Sequence, residues 1–301
     1  MNRARGRASG ILAKHGAKYL MIAPFGVIFI VFTAFPVASS MVISLTSFNM
    51  LETPEFTGLK NYINLFINDD VFLIALKNTL FFAGITGPIS YLMCFVFAWL
   101  INGLPRRVRA FMTLVFYAPS ISGNAYLIWK LIFSSDLRGY ANSVLSGLGI
   151  TNGAVLFFEN KAYVLPILIA VQLWLSLGVS FLSFIAGLQN VDRALYEAGA
   201  IDGIKNRWQE LWFITLPSMK PQLLFGAVMQ ITASFSVSTI STELAGFPSV
   251  EYSGHTILTH LQDYGVTRME MGYASAIATV LFFMMIVTNL VIQKLIRRIG
   301  E

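Results

Sequence analysis

The chain has one cysteine in 301 residues, Cys94, which excludes a disulfide framework and any cysteine-based metal centre. Set in the middle of an apolar run, it reads as a small packing residue. Charge is scarce: 12% of residues are charged against 56% hydrophobic, and mean hydropathy is +0.68. That balance excludes an ordinary soluble globular protein. There are three histidines. His15 lies in the N-terminal arm, and His255 and His260, five apart, do not share a helical face; a metal site using them with Asp263 is a weaker reading than plain loop residues. No Ser/His/Asp or paired-carboxylate constellation occurs in a credible setting, so an intramembrane hydrolase lacks its parts. No G-x-x-x-x-G-K-[ST] phosphate loop is present either, so the chain has no such means of holding a nucleotide.

What the chain does have is long apolar runs. Windows of about 20 residues mark six membrane helices, Leu20 to Ile43, Asn78 to Gly103, Ala110 to Phe133, Ala162 to Leu188, Gln222 to Ile240 and Tyr273 to Ile292. The first is too long for a signal-peptide core and has no convincing cleavage site, so it reads as a membrane helix. With the N-terminus inside, the cytoplasmic segments collect Arg3, Arg5, Arg7, Lys14, Lys18, then Arg106, Arg107, Arg109, then Arg193, Lys205, Arg207, Lys220, and finally Lys294, Arg297 and Arg298. Lys60, Lys77, Lys130, Arg138, Lys161 and Arg268 fall in outer loops or at outer helix ends. Both termini are therefore assigned to the cytoplasm. The net charge of +6 is spread over several segments, which is a topological signature and not a nucleic-acid footprint.

One polar stretch interrupts the apolar chain on the inner side, residues 189–221. Asp192 is placed to cap a helix beginning at Arg193, and Gly203 to stop it in a left-handed turn. Asn206 with Gln209 resembles a capping box, Trp208, Leu211, Trp212 and Thr215-Leu216 have helical spacing, and Pro217 is expected to end the second helix. Ala198, Gly199, Ala200 and Gly203 carry almost no bulk, so another protein's surface has close access to the backbone, with Glu197 and Asp202 as polar anchors.

The run Glu-Ala-small, Asp-Gly, then Ile-x-Leu-Pro over Glu197 to Pro217 resembles the EAA loop of binding-protein-dependent ABC importer permeases. Asn78-Thr79, Pro119, Gly139 with Asn142, and Gly187-Leu188-Gln189 are similar to the carbohydrate group of the maltose and glycerol-3-phosphate permeases, over roughly Leu73 to Ile292. The resemblance implies an all-α integral membrane protein with six transmembrane helices, the type I ABC importer permease fold, and a cytoplasmic coupling helix between helices 4 and 5. The layout it implies is a cytoplasmic arm (1–19), a first helix (20–43), an extracytoplasmic loop (44–72), the transmembrane domain (73–293) with its coupling loop (189–221), and a cytoplasmic tail (294–301). It also implies that Glu197, Ala198, Gly199, Asp202 and Gly203 meet an ATPase subunit. The partners implied are a second homologous permease, two ABC ATPase subunits that bind ATP and Mg, an extracytoplasmic solute-binding protein and membrane lipid, with no nucleic acid and no cofactor in this chain. Two departures stand out: Gly199 where the family usually has alanine, and one extra residue between Gly203 and Ile214, which bears on docking register.

Two spans carry the same polar spacing. Gln172, Ser176, Ser180 and Ser183 recur at i, i+4, i+8 and i+11, as do Gln230, Ser234, Ser238 and Ser241. As path-lining groups they suit a neutral polyol; equally, Ser and Gln bind membrane helices to one another. Trp174, Phe235 and Tyr126 have faces for a sugar, though packing is the commoner use of such residues. An anionic substrate favours buried Arg or Lys, absent from the mid-spans, so a sugar or oligosaccharide is expected. The alternatives are a non-sugar solute (phosphate ester, amino acid, peptide) and, less well supported, a membrane-embedded enzyme.

Overall fold

A computed structural model describes residues 18–297; Arg3, Arg5, Arg7, Lys14, His15 and Arg298, assigned above to the inner face, lie outside them. Among the described residues the regular structure is helical, apart from one isolated bridge between Thr46 and Phe56. Helix α1 is Lys18–Ile43; α2 covers 60–68; α3 is Asp70–Asn102, α4 Arg106–Ile121, α5 Tyr126–Ile132, α6 Tyr140–Gly147, α7 Lys161–Leu175 and α8 Val179–Asn190. Next come α9 (Arg193–Ile201), α10 (residues 207–218), α11 (Lys220–Phe235), α12 (Thr239–Ala245), α13 (Ile257–Gln262) and α14 (Met271–Arg297).

Five segments are long and apolar enough to cross a membrane: Lys18–Ile43, Asp70–Asn102, Lys161–Asn190, Lys220–Ala245 and Met271–Ile296. The expected span Ala110 to Phe133 is instead two helices, α4 and α5, with Ser122 extended (φ −82°, ψ 106°) between them. Pro119 and Gly123 account for the interruption, since neither sustains a helical ladder. Two of the long segments are broken as well. Ser176–Gly178 separates α7 from α8, with Gly178 at φ −104°, ψ −132°. Ser236–Ser238 separates α11 from α12. The two polar rows therefore do not form continuous stripes on straight helices: each passes through a break.

Helix α3 is the spine, packing on α7, α8 and α11, while α14 closes the other side of α11 and carries α1. It begins earlier than the hydropathy predicts because Asp69 caps it, its carboxylate accepting the Phe72 N–H at 2.8 Å. Pro88 lies inside it without ending it, as neighbouring helices allow. Helix α8 crosses α11 closely. A Cβ on Gly226 would stand 2.3 Å from Phe184 Cζ, and Ser180 Oγ donates to the Gly226 carbonyl at 3.1 Å. Glycine here lets two backbones approach within hydrogen-bonding reach of a side chain. Around it Phe181, Phe184, Leu188, Met219 and Leu223 form the inner core. Two further clusters lie towards the outer face, one around Phe72, Ile257 and Ile277, the other around Val164, Leu168 and Leu244.

The outer segments fold on themselves. Asn142 is 1% exposed; its amide donates to the carbonyls of Ser134, Asp136 and Val155, each at 3.1 Å, and its oxygen accepts the Val155 N–H at 2.9 Å. Gly139 fits beneath, where a Cβ would be 2.7 Å from the Ser134 carbonyl. Asn78 donates to the Tyr252 and His255 carbonyls at 2.9 and 3.0 Å, and Thr79 Oγ1 accepts the Ile257 N–H at 2.9 Å. Residues that carry the family resemblance thus fasten the outer loops.

Filling the α8–α11 contact is expected to loosen the bundle: Gly226→Val should cost about 1–3 kcal/mol through overpacking against Phe184. The midpoint of thermal unfolding in detergent micelles should fall accordingly, and an unchanged midpoint would show that the crossing is looser than described.

Candidate functional site

The inner face is dominated by the hairpin α9–α10. Asp192 accepts the Ala194 N–H at 3.0 Å, the expected N-cap. The helix ends in paired bonds, Ile204 N–H to the Gly199 carbonyl at 2.9 Å and Gly203 N–H to the Ala200 carbonyl at 3.4 Å. With Gly203 at φ +94°, this is the Schellman arrangement, and only glycine adopts that dihedral without strain. Asn206 Oδ1 accepts the Gln209 N–H at 2.8 Å, while Gln209 Oε1 returns to the Lys205 N–H at 2.8 Å, one residue before the amide a capping box uses. Pro217 does not end the second helix. It lies in the last turn of α10, directly after the π-turn, and the chain turns at Met219.

The hairpin is closed from within. The Tyr196 hydroxyl meets Thr215 Oγ1 at 2.9 Å, and Thr215 Oγ1 donates to the Glu210 carbonyl at 3.2 Å across the π-turn Leu211–Thr215. Gly199 is buried, and a Cβ there would stand 2.6 Å from Ile214 Cδ1. It is thus an internal contact of the hairpin. Glu197, Ala198, Ala200, Asp202 and Gly203 are exposed, as is Leu195, and Ile201 is 87% exposed. The outward surface is small, acidic at two points, and apolar at its tip. The tie between Tyr196 and Thr215 was not legible in advance, because nothing in the spacing pairs a residue of one helix with one nineteen positions on.

The polar rows meet at the break between α7 and α8. Ser176 Oγ donates to the Leu173 carbonyl at 2.6 Å, and the Ser176 carbonyl accepts Gln230 Nε2 at 3.1 Å and Cys94 Sγ at 3.4 Å. Ser234 Oγ donates to the Gln230 carbonyl at 2.7 Å and lies where a Cβ on Gly87 would be 3.3 Å away. Ser238 Oγ bonds Gln262 Oε1, and Ser241 Oγ the Gly254 carbonyl. Gln172, Ser180 and Ser241 are buried with them, and Ser183 is partly buried. Gly178 faces Ser120 at the end of α4, where a Cβ would be 3.6 Å from Ser120 Cβ, which sets two breaks side by side. The aromatic trio is packed: Trp174 lies edge-on to Trp129 at 5.5 Å, Phe235 is buried, and Tyr126 OH donates to Asn124 Oδ1 at 3.3 Å.

At the outer face the structure joins residues that the sequence kept apart. His255 Nε2 and His260 Nδ1 are 3.1 Å apart, His260 Nε2 is 3.0 Å from Asp69 Oδ2, and Tyr273 OH donates to the same oxygen at 2.8 Å. Asp263 pairs instead with Arg268 at 2.7 Å. The histidines do not share a helical face; a turn before α13 folds one over the other. Burial favours the neutral form of His255 and pushes its pKa down to about 4, with the neighbouring His260 adding to the effect. Burial alone would raise Asp69, but hydrogen bonds from His260, the Phe72 N–H and Tyr273 outweigh it and hold the carboxylate at about 2. Among the described residues, no group of three or more His, Cys, Asp or Glu is placed to hold a metal ion.

Broken membrane helices bound together at their breaks, with a self-contained two-helix projection on one face, define a membrane transport subunit. Comparison with known proteins sharpens this. The chain is 32% identical over 285 residues to the arabinooligosaccharides transport system permease protein AraP of Bacillus subtilis (strain 168), covering 94% of this chain and 89% of AraP. It is 30% identical over 281 residues to the lactose transport system permease protein LacF of Rhizobium radiobacter, covering 90% and 91%. In structure it matches a chain of a bacterial ABC transporter involved in the import of the acidic polysaccharide alginate, with TM-score 0.75, 23% identity, and 98% and 100% of the two chains covered. No protein-family model matches. The chain belongs to the ABC transporter permeases of carbohydrate-uptake type, as a multi-pass membrane protein and a non-catalytic transport subunit.

Two outcomes are expected. Gln230→Leu withdraws a donor from the Ser176 carbonyl and should cost about 1 kcal/mol, the scale of an interhelical hydrogen bond in a membrane; thermal unfolding in micelles measures it. For His255 the folded pKa lies below its ordinary 6.5, so its stabilisation is complete above pH 6.5 and is lost as pH falls towards 4. At about 1.4 kcal/mol per pKa unit, that is of the order of 3 kcal/mol. Asp69 adds a loss only between pH 3.8 and about 2. Unfolding midpoints between pH 7 and 4 should fall less steeply for His255→Asn than for the native chain, and parallel curves would contradict this.

Proposed function

We propose that this chain is one of two permeases enclosing the path of an importer for a neutral sugar or oligosaccharide. Two ABC ATPase subunits grip it from the cytoplasm, and an extracytoplasmic solute-binding protein delivers the substrate. On this reading α4 and α5 together make a sixth crossing, both termini are cytoplasmic, and α9 is the coupling helix. The observation that carries it is the hairpin: Tyr196, Thr215 and Gly199 make it rigid from within, while Glu197, Ala198, Asp202 and Gly203 are turned outward. A rigid projection transmits force from a partner, and a chain without a phosphate loop needs such a partner.

The sugar assignment rests on relatives whose names specify arabinooligosaccharide and lactose transport, and on spans without a basic residue near the bilayer centre. The path is placed along the three breaks, where unwound backbone meets the membrane interior. Gln172, Ser176, Ser180, Gln230, Ser234 and Ser238 are the residues we assign to the path, and Ser176 with Gln230 also holds the break between α7 and α8.

Glu197→Ala combined with Ala198→Trp alters the outward surface without touching the closing contacts. Association with the ATPase subunits and uptake should both drop at least tenfold, with the unfolding midpoint unchanged, on the scale of losing about 1.4 kcal/mol of docking energy. Gly203→Val should reproduce the loss, now with a less stable hairpin. Native association and uptake in both variants would sink the docking role.

A further inference from the structure

The hairpin roofs a cavity of about 400 Å³ at the inner ends of α3, α4 and α8. Arg109, Arg193 and Arg207 line it, with Glu210 as its one carboxylate. Among the described residues, none of the three arginines lies within 4 Å of a carboxylate. Arg109 Nη1 is held by Asn102 Oδ1 at 3.2 Å. Arg207 lies over the Trp99 ring, 5.2 Å from its centroid, and against Gly103, where a Cβ would be 2.6 Å from Nη2. Two of the guanidinium groups are thus positioned by neutral contacts that leave their charge unmatched. Arginine does not discharge, and three guanidinium groups share the recess with one carboxylate, so a further anion is favoured there.

We propose that this recess is a binding site for a phosphate group, carried either by an anionic phospholipid of the inner leaflet or by a free phosphate compound. The guanidinium fork suits phosphate oxygens, and basic recesses between membrane helices on the cytoplasmic side take anionic headgroups. Depth agrees: Trp99 lines the recess and lies tilted against Trp208 at 5.1 Å, and Trp208, Trp212 and Phe213 on the same arm are exposed, the aromatic signature of the headgroup layer. An occupant here touches both the hairpin, through Arg193 and Arg207, and the membrane helices, through Trp99 and Arg109. It would brace the lever against the bundle. The inference rests on the hairpin lying at the cytoplasmic membrane face, but not on its gripping an ATPase.

The test uses the full chain in nanodiscs of equal parts phosphatidylcholine and phosphatidylglycerol, with the lipid retained after detergent extraction counted by native mass spectrometry. The native chain should retain phosphatidylglycerol in preference. Arg109→Gln with Arg207→Gln should reduce that preference about fivefold per arginine removed, the paired lysine variants should keep most of it, and Arg138→Gln on the outer loop should leave it unchanged. If excess inorganic phosphate displaces the lipid and raises the unfolding midpoint of the native chain but not of the glutamine variant, the site stands with free phosphate as its occupant; lipid that stays bound identifies the headgroup. Should the double variant misfold, Arg109→Gln alone serves, expected to lose one such step. Equal retention by native and glutamine chains, without stabilisation by phosphate, overturns the site. ATPase association measured on the same preparations reports on docking separately, so failure of one reading is not mistaken for failure of the other.

Discussion

A backbone carbonyl released inside a membrane has no water to turn to, and the architecture of this chain follows from how its helix breaks answer that constraint. The break between α7 and α8 frees the Ser176 carbonyl, and Gln230 and Cys94 reach it from two other helices. These contacts bind α3, α8 and α11 at one point, and the missing side chain of Gly226 lets α8 and α11 come close enough for Ser180 to add another bond. This break is therefore a joint with fixed partners and not a frayed end.

From that knot the structure passes continuously to the inner face. Helix α8 runs into the hairpin through Asp192, and α10 returns to α11 through the turn at Met219, which is buried in the same core as Phe184 and Leu188. A displacement of the hairpin thus acts on α8 and α11 together, the two helices joined by the bond from Ser180 to Gly226. The outer face is fastened differently, by amide side chains such as Asn78 and Asn142 and by the Asp69–His260–His255 chain.

Much of this was legible in the sequence where the signal is local. The caps at Asp192 and Asn206, the left-handed Gly203 and the family resemblance of the loop all depend on residues within a few positions of one another. Hydropathy found the apolar spans because burial in lipid is read one window at a time. The interruptions were not legible by the same means: Ser122–Ala125, Ser176–Gly178 and Ser236–Ser238 pass as membrane helix in a hydropathy window, and the groups that meet the freed carbonyls of Ser176 and Val237, from Gln230 and Thr256, come from distant positions. The same holds for His255, His260 and Asp69, joined across 191 positions, and for Gly199, whose smallness turns inward to Ile214.

The wide turn at Leu211–Thr215 is a π-turn, which holds one residue more than an α-helical turn of the same rise. The surplus is taken up as a local bulge, braced by the Thr215 hydroxyl, so the helical phase on either side is kept. Length in this arm is consequently decoupled from aim: losing one residue there lets the turn tighten to ordinary α-helical pitch, whereas losing one from α9 would rotate Glu197 by about 100° about the helix axis and point its carboxylate elsewhere.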